Sequence, residues 1–289
     1  MKYINFYIDW ITERLTSTFR GEAAVNVFCK AIQGFLLVKM LFSWSVSFMV
    51  LQYHPQRPNR YFIEDLFFWP SQLAYNHFIY FFWFCSAIIL AAIIIKRNYL
   101  SAILVFWIAL NLNRINFLAN NGSDLVLIML LFFTIPLSSF PRVANNKLFI
   151  LQKALHNTAL GACQVQIGLI YLLSGLDKIT TRPWQTGEAF KLVSKLDFMV
   201  NARLADFFPD NYLEGFIVSW LIMLFEILFV FLVWWKETRW VMLAAGVIFH
   251  LFIWVMLSLP DFGLIMIISY IPFLAKEPRQ DIVGDASVD

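Results

Sequence analysis

The chain has 289 residues, of which 60% are hydrophobic and 14% charged, against about 25% charged for a soluble globular domain. That composition excludes a soluble protein and points to an integral membrane protein in a lipid bilayer, with little length left for a separate soluble domain. The formal net charge is only +3 and the basic residues are scattered, which excludes an electrostatic track for nucleic acid.

Residues 3–20 read as an amphipathic helix, with Ile4, Ile8, Ile11, Leu15 and Phe19 on one stripe and Lys2, Asp9, Glu13, Arg14 and Arg20 on other faces. Such a helix lies along the membrane surface or packs on the flank of a bundle. The same charges interrupt any apolar h-region, so a cleavable signal peptide is not expected, and residues 1–30 form an N-terminal interfacial segment.

Eight apolar spans follow, over 31–51, 75–95, 99–117, 124–140, 156–176, 214–235, 239–258 and 262–275, which predicts an all-α bundle of about eight transmembrane helices across 31–275. The fourth and eighth are short and the third carries Asn111, Asn113, Arg114 and Asn116, so these three require tilt, burial or re-entrant character. Lys39, inside the first span, must face protein or snorkel. With the N-terminus inside, the cytoplasmic segments hold thirteen Lys and Arg and the outer segments eight, Lys39 completing the twenty-two. Both termini are therefore expected in the cytoplasm, and the long connection 177–213 outside. Within that connection, Gly187 to Phe208 shows a helical pattern (Phe190, Val193, Leu196, Phe198, Met199, Leu204, Phe207). The loop 52–73 is the other long connection, and the tail from 276 to 289 reads as disordered.

Cys29, Cys85 and Cys163 are widely spaced, with no CxxC pair or His/Cys cluster, and read as small hydrophobes rather than metal ligands. Gly-rich phosphate loops, HExxH and GxSxG are absent. Chemistry must then reside in polar residues at membrane depth. Tyr171, Ser174, Gly175 and Lys178 fall at i, i+3, i+4 and i+7 and share one helix face, where Lys178 is either a functional ammonium or a lysine snorkelling from a helix end. Asn111–Asn116 with Asn120-Asn-Gly-Ser-Asp124 is either a functional amide cluster or a polar turn in which Ser123 or Asp124 caps the fourth span. Glu226 is a lone carboxylate in the sixth span, free to orient a base or to pair with Lys39 or Arg114. His250 is a lone imidazole in the seventh, a second polar group of a site or a satisfied interior histidine.

The run Tyr171-Leu-Leu-Ser-Gly-Leu-Asp-Lys178 with Trp184, Gly187 and Glu188 following, Asn120-Asn-Gly-Ser123, and Phe249-His250 resemble the HTTM domain family, the membrane portion shared with vitamin K-dependent γ-carboxylase. The resemblance implies Lys178 as the base that becomes active when a reduced quinone of the vitamin K or menaquinol type is oxygenated, with His250 and Glu226 completing the catalytic set. It implies a quinol pocket among the spans; Tyr171, Ser174, Trp184, Asn120, Asn121 and Arg114 are the residues of this chain expected to bind substrate or cofactor, and no metal is expected. The carboxylases carry two adjacent lysines where this chain has Asp177-Lys178, and a histidine where it has Gly122. With no counterpart to their large extracytoplasmic domain after the last span, the chain is similar to a small bacterial branch resembling sporulation-delaying protein B. A bacterial inner-membrane protein acting on a small secreted peptide is the resulting expectation. The alternative is a non-catalytic maturation or export factor in which Lys178 recognises a carboxylate.

Overall fold

The structure, a computed structural model, describes residues 12–13, 15–16, 19–53, 62–138, 146–196, 200–201, 204, 208–209 and 211–275. Two thirds of the expected amphipathic helix over 3–20 falls outside these residues, as does the whole tail from 276 to 289. Among the described residues every regular element is helical.

Helix α1 (Glu22–Tyr53) leads into α2 (Phe62–Ile94), α3 (Tyr99–Ile115) and α4 (Gly122–Leu137). Part of the segment read as a loop over 52–73 is therefore helical: Glu64 and Asp65 lie in the first turn of α2, where acidic side chains favour the helix N-terminus. The helix is bent rather than interrupted at Pro70, with non-helical backbone at Phe68 and His77. A proline frees backbone groups that lipid cannot solvate, and α3 supplies partners for this bend. Trp107 Nε1 donates to Phe67 O at 2.8 Å, and Ser71 N donates to Asn111 Oδ1 at 3.2 Å. Asn111, wholly buried, thus serves the bend in α2.

The α3–α4 turn is closed by side-chain caps. Asn121 is the N-cap of α4: its Oδ1 accepts from Ser123 N at 2.8 Å, while Asn121 N donates to Asp124 Oδ2 at 2.9 Å. The cap is Asn121, where Ser123 or Asp124 was expected, because Asp124 is the reciprocal partner of a capping box.

Helix α5 (Asn146–Thr180) starts ten residues before the expected span and ends just past Lys178. Two short helices follow, α6 (Arg182–Thr186) and α7 (Ala189–Val193), so the single helical pattern read from Gly187 onward is broken among the described residues. The pattern's own helix, α7, ends after Val193 at Ser194. Gly187, which ends α6 with φ +81° and lies against the backbone of Gly215 and Phe216, separates it from α6, because only a glycine accepts both the left-handed conformation and that approach. Helices α8 (Tyr212–Leu232), α9 (Lys236–Met256) and α10 (Pro260–Ile268), then a 3₁₀ turn over Ile271–Leu274, complete the chain order.

Among the described residues, five helices are long and apolar enough to cross a membrane: 22–52, 76–94, 147–180, 212–232 and 236–256. The segments 99–115, 122–137 and 260–274, which correspond to the expected third, fourth and eighth spans, are shorter apolar helices. Many large apolar side chains point outward, Phe42 and Tyr80 among them, as expected where the surrounding solvent is lipid. The main core runs through α1 to α5 and α8 to α10. A second, smaller cluster joins Phe190, Val200 and Phe208 of the long connection to Met256, and Asn201 N donates to Met256 O at 3.1 Å. The connection is thereby folded down as a cap over the ends of α8 and α9.

Candidate functional site

Helices α5 and α8 pack more closely than their side chains would ordinarily permit. A Cβ at Gly175 would stand 2.9 Å from Ile227 Cγ1 and 3.3 Å from Glu226 Cβ, and one at Gly168 would stand 3.1 Å from Val230 Cγ2. Small residues one heptad apart let helix backbones approach in a membrane. That approach brings Ser174 and Lys178, on the same face of α5, within reach of α8.

Lys178 Nζ donates to Glu226 Oε1 and Oε2, each at 2.9 Å, and to Ser174 Oγ at 2.6 Å. Ser174 Oγ donates to Glu226 Oε1 at 3.1 Å. The side chain of Glu226 is 3% exposed and that of Lys178 16%, so the pair is a buried one. Glu226 lies fourteen residues into α8, about 21 Å of helix rise, inside a membrane-length helix. Lys178 thus points inward to a carboxylate instead of outward to the headgroups. Glu226 takes neither of the partners suggested by the sequence, Lys39 or Arg114. The Trp184 ring, carried by α6, covers Lys178 Nζ from 5.2 Å, within cation–π range.

A second polar chain stands on the same cavity. Tyr171 Oη and His250 Nε2 are hydrogen-bonded at 2.6 Å, and Tyr171 Oη is also hydrogen-bonded to Tyr270 Oη. Gly246 makes the room: a Cβ there would collide with the Tyr270 hydroxyl. Phe229 stacks on the Tyr171 ring at 4.1 Å. Among the described residues His250 Nδ1 is buried without a partner. If Tyr270 donates to Tyr171 and Tyr171 to His250 Nε2, the unpartnered group is one N–H at Nδ1. The reverse order leaves two groups unpartnered, the Nδ1 lone pair and the Tyr270 hydrogen. Because each unmade buried hydrogen bond is costly, the first order is favoured.

These residues surround one cavity of about 240 Å³, lined by Tyr171, Ser174, Lys178, Trp184, Glu226 and His250 amid apolar side chains including Phe190, Phe252, Ile253, Phe262 and Met266. Such a mix, apolar walls with a few convergent polar groups, is what a small-molecule site requires. Six of the residues singled out in the sequence are thereby brought together. Three are not: Asn121 caps α4, Asn120 Nδ2 donates to Asn113 O at 2.7 Å, and the Arg114 guanidinium lies 4.5 Å from the Phe68 ring centroid. All three belong to the α3–α4 turn and the bend of α2, and none lines the cavity.

Sequence reasoning missed Tyr270, which closes an apolar segment just past α10, lies behind the cavity lining and joins the site through Tyr171. It also missed a second, partly exposed ionic cluster. Lys39 Nζ lies 2.8 Å from Asp124 Oδ1 and 3.1 Å from Asp261 Oδ2, and donates to Ser123 Oγ at 2.8 Å. Lys39 therefore faces protein, and it anchors the start of α10, whose next residue, Phe262, forms part of the cavity wall. Cys29, Cys85 and Cys163 are buried free thiols. Among the described residues no group of three His, Cys, Asp or Glu is placed to hold a metal ion.

The family model of the HTTM domain matches residues 20–277, a stretch that contains every element of the cavity. Neither a curated protein nor a solved structure gives a match.

Proposed function

The chain belongs to the HTTM domain family, and from that premise we propose that it performs lysine-base chemistry on a peptide substrate, coupled to a reduced quinone, at the extracytoplasmic face of a bacterial inner membrane. The observation that carries this reading is the Lys178–Glu226 pair, buried at membrane depth and opening on an apolar cavity of about 240 Å³. The proposed arrangement has eight spans, the three shorter helices being tilted or enclosed by the rest, and both termini in the cytoplasm.

A base must lose its proton before it can take one. The group placed to receive the Lys178 proton is Glu226, whose two oxygens lie 2.9 Å from Nζ. Transfer from Nζ to the carboxylate replaces two buried charges by two neutral groups, which a low-dielectric cavity favours. The amine is then a nucleophile-strength base held in place by Ser174, and Trp184 shields it from water. The orphaned Nδ1 of His250, a residue of the cavity wall, suits a quinone ring with one oxygen to accept its N–H. Oxidation of the reduced quinone (quinol) by dioxygen, as the family resemblance implies, would supply the driving force for removing a weakly acidic substrate proton.

A second reading rests on the same pair. Lys178 and Glu226 neutralise one another and leave no net charge in the cavity, as a clasp between α5 and α8 would. The protein would then be a non-catalytic maturation or export factor for a small secreted peptide, in the manner of the sporulation-delaying protein B branch.

The two readings separate in mass spectrometry of secreted and membrane peptides from a deletion strain complemented with wild type, Lys178→Arg or Lys178→Ala. A peptide whose mass is restored by wild type alone supports the catalytic reading, because arginine keeps its proton, and the mass difference names the reaction. Restoration by Lys178→Arg sinks it and leaves the export factor.

A further inference from the structure

The Lys178 cavity is walled almost wholly by helices. Among the described residues, only Leu257 and Leu259 line it from outside a helix. They belong to the link between α9 and α10, in which Ser258 is exposed and holds φ +51°. A residue with a Cβ enters that region only when its surroundings hold it there.

The link is fixed at both ends. On the α9 side, Met256 is buried and its carbonyl accepts from Asn201 N at 3.1 Å. On the α10 side, a Cβ at Gly263 would stand 2.7 Å from His250 O and 3.0 Å from Trp254 Cβ, so α10 is packed closely on α9 there. Residues 257–262 therefore form a strap between two fixed points, and the strap carries Phe262. The Phe262 ring lies edge-to-face with the His250 ring, centroids 5.8 Å apart. The same ring comes within 3.6 Å of the position that a Cβ of Gly122 would take. It thus reaches from the cavity to the start of α4.

One tie holds the strap to α1 and α4. Asp261 Oδ2 lies 3.1 Å from Lys39 Nζ, and the Asp261 side chain is 43% exposed. Among the described residues no other side-chain hydrogen bond or ion pair reaches 257–262. Lys39 does not depend on this tie, because Asp124 Oδ1 and Ser123 Oγ, each at 2.8 Å, remain when Asp261 leaves. Asp261 is free to be hydrated instead. An ion pair that is partly exposed is a weak tie, and breaking this one strands neither partner.

We propose that residues 257–262 are a gate to the Lys178 cavity, latched by the Asp261–Lys39 ion pair and closed by the Phe262 ring. Opening moves Leu257, Leu259 and Phe262 while Met256 and Gly263 stay in place. A small ligand then enters with α5 and α8, and hence the Lys178–Glu226 pair, undisturbed. The gate does not depend on which chemistry the cavity performs.

Its test reads access and not activity: the rate at which N-ethylmaleimide modifies the thiol of an Ile253→Cys variant, position 253 being a cavity-lining site on α9. The purified full chain without that substitution gives the background, since Cys29, Cys85 and Cys163 are buried. Adding Asp261→Asn should raise the rate about two- to fivefold, as loss of a weak ion pair allows. Added salt should raise the rate of Ile253→Cys alone toward the same value, because salt screens exposed charges, and should leave the Asp261→Asn chain unchanged. The salt measurement decides the matter if Asp261→Asn fails to fold. A rate moved by neither the substitution nor salt overturns the proposal. So does a rate raised by Trp184→Ala alone, which would put the entrance under α6. If Asp261→Asn speeds modification of the three native cysteines by the same factor, the whole bundle has loosened and the gate is refuted.

Discussion

Lys178 Nζ stands 2.9 Å from each carboxylate oxygen of Glu226, so the two oppositely charged groups on α5 and α8 are held in bidentate contact. Ser174, one turn before Lys178, bonds to both. Removing either charge strands the other where neither lipid nor protein can solvate it.

Glu226→Gln is accordingly expected to destabilise the protein by about 3 kcal/mol, as breaking one side of a buried ion pair does. Adding Lys178→Met should recover most of that loss, because no charge then remains unpaired. Thermal unfolding of the single and double variants in detergent forms a double-mutant cycle. Additive losses would show that the contact does not hold the helices together.

Gly175→Ala places a methyl group 2.9 Å from Ile227 Cγ1 and 3.3 Å from Glu226 Cβ. Overpacking of this kind costs about 1–3 kcal/mol, and pushing α8 away lengthens the Lys178–Glu226 contact. A lower unfolding midpoint together with loss of complementation is the expected result. An unchanged midpoint would mean that the helices are not in this register.

Gly246→Ala drives a methyl group into the Tyr270 hydroxyl and should cost about 1–3 kcal/mol while separating Tyr270 from Tyr171. Combining it with Tyr270→Phe removes the nearest clashing atom, leaving ring Cζ at 2.8 Å, so the double variant should regain part of the stability that Gly246→Ala loses. Unfolding midpoints of the four proteins check this, and a double variant less stable than either single one would refute it.

Ser258 has φ +51° in the short link between α9 and α10, beside Leu257 and Leu259, which both line the cavity. A left-handed backbone costs a residue with a Cβ about 1–2 kcal/mol. Ser258→Gly should therefore raise the unfolding free energy by roughly 1 kcal/mol, and Ser258→Val should lower it. If both variants match wild type in chemical denaturation, the link does not carry that strain.

Much of the site was legible before the fold. The spacing of Tyr171, Ser174 and Lys178 placed them on one face, and a helix of any length would have kept them there. Glu226 and His250 stood out because ionisable groups are rare in apolar runs. Their pairings were not legible. Glu226 had three cations to choose from, and the choice of Lys178 depends on Gly175 allowing α8 close enough, a relation between residues 51 positions apart. Tyr270 carries no unusual signal in sequence, since a tyrosine at the end of an apolar segment reads as an interfacial anchor. Asn120, Asn121 and Arg114 looked like site residues for the opposite reason: amides and a cation at membrane depth are conspicuous whether they bind a ligand, cap a helix or stack on a ring.

The sequence by itself determined that the chain is a helical membrane protein with polar groups at set positions along its spans, because hydropathy and helical periodicity are local properties of a segment. It also placed those polar groups on particular faces. Only the tertiary structure decided that Lys178 meets Glu226, that Lys39 meets Asp124 and Asp261, and that Tyr171 joins His250 to Tyr270. Each of those contacts depends on which helices pack side by side and how closely. In a bilayer the hydrophobic effect does not choose among apolar helix faces, so small residues such as Gly168, Gly175 and Gly246, and the polar partners themselves, make the choice.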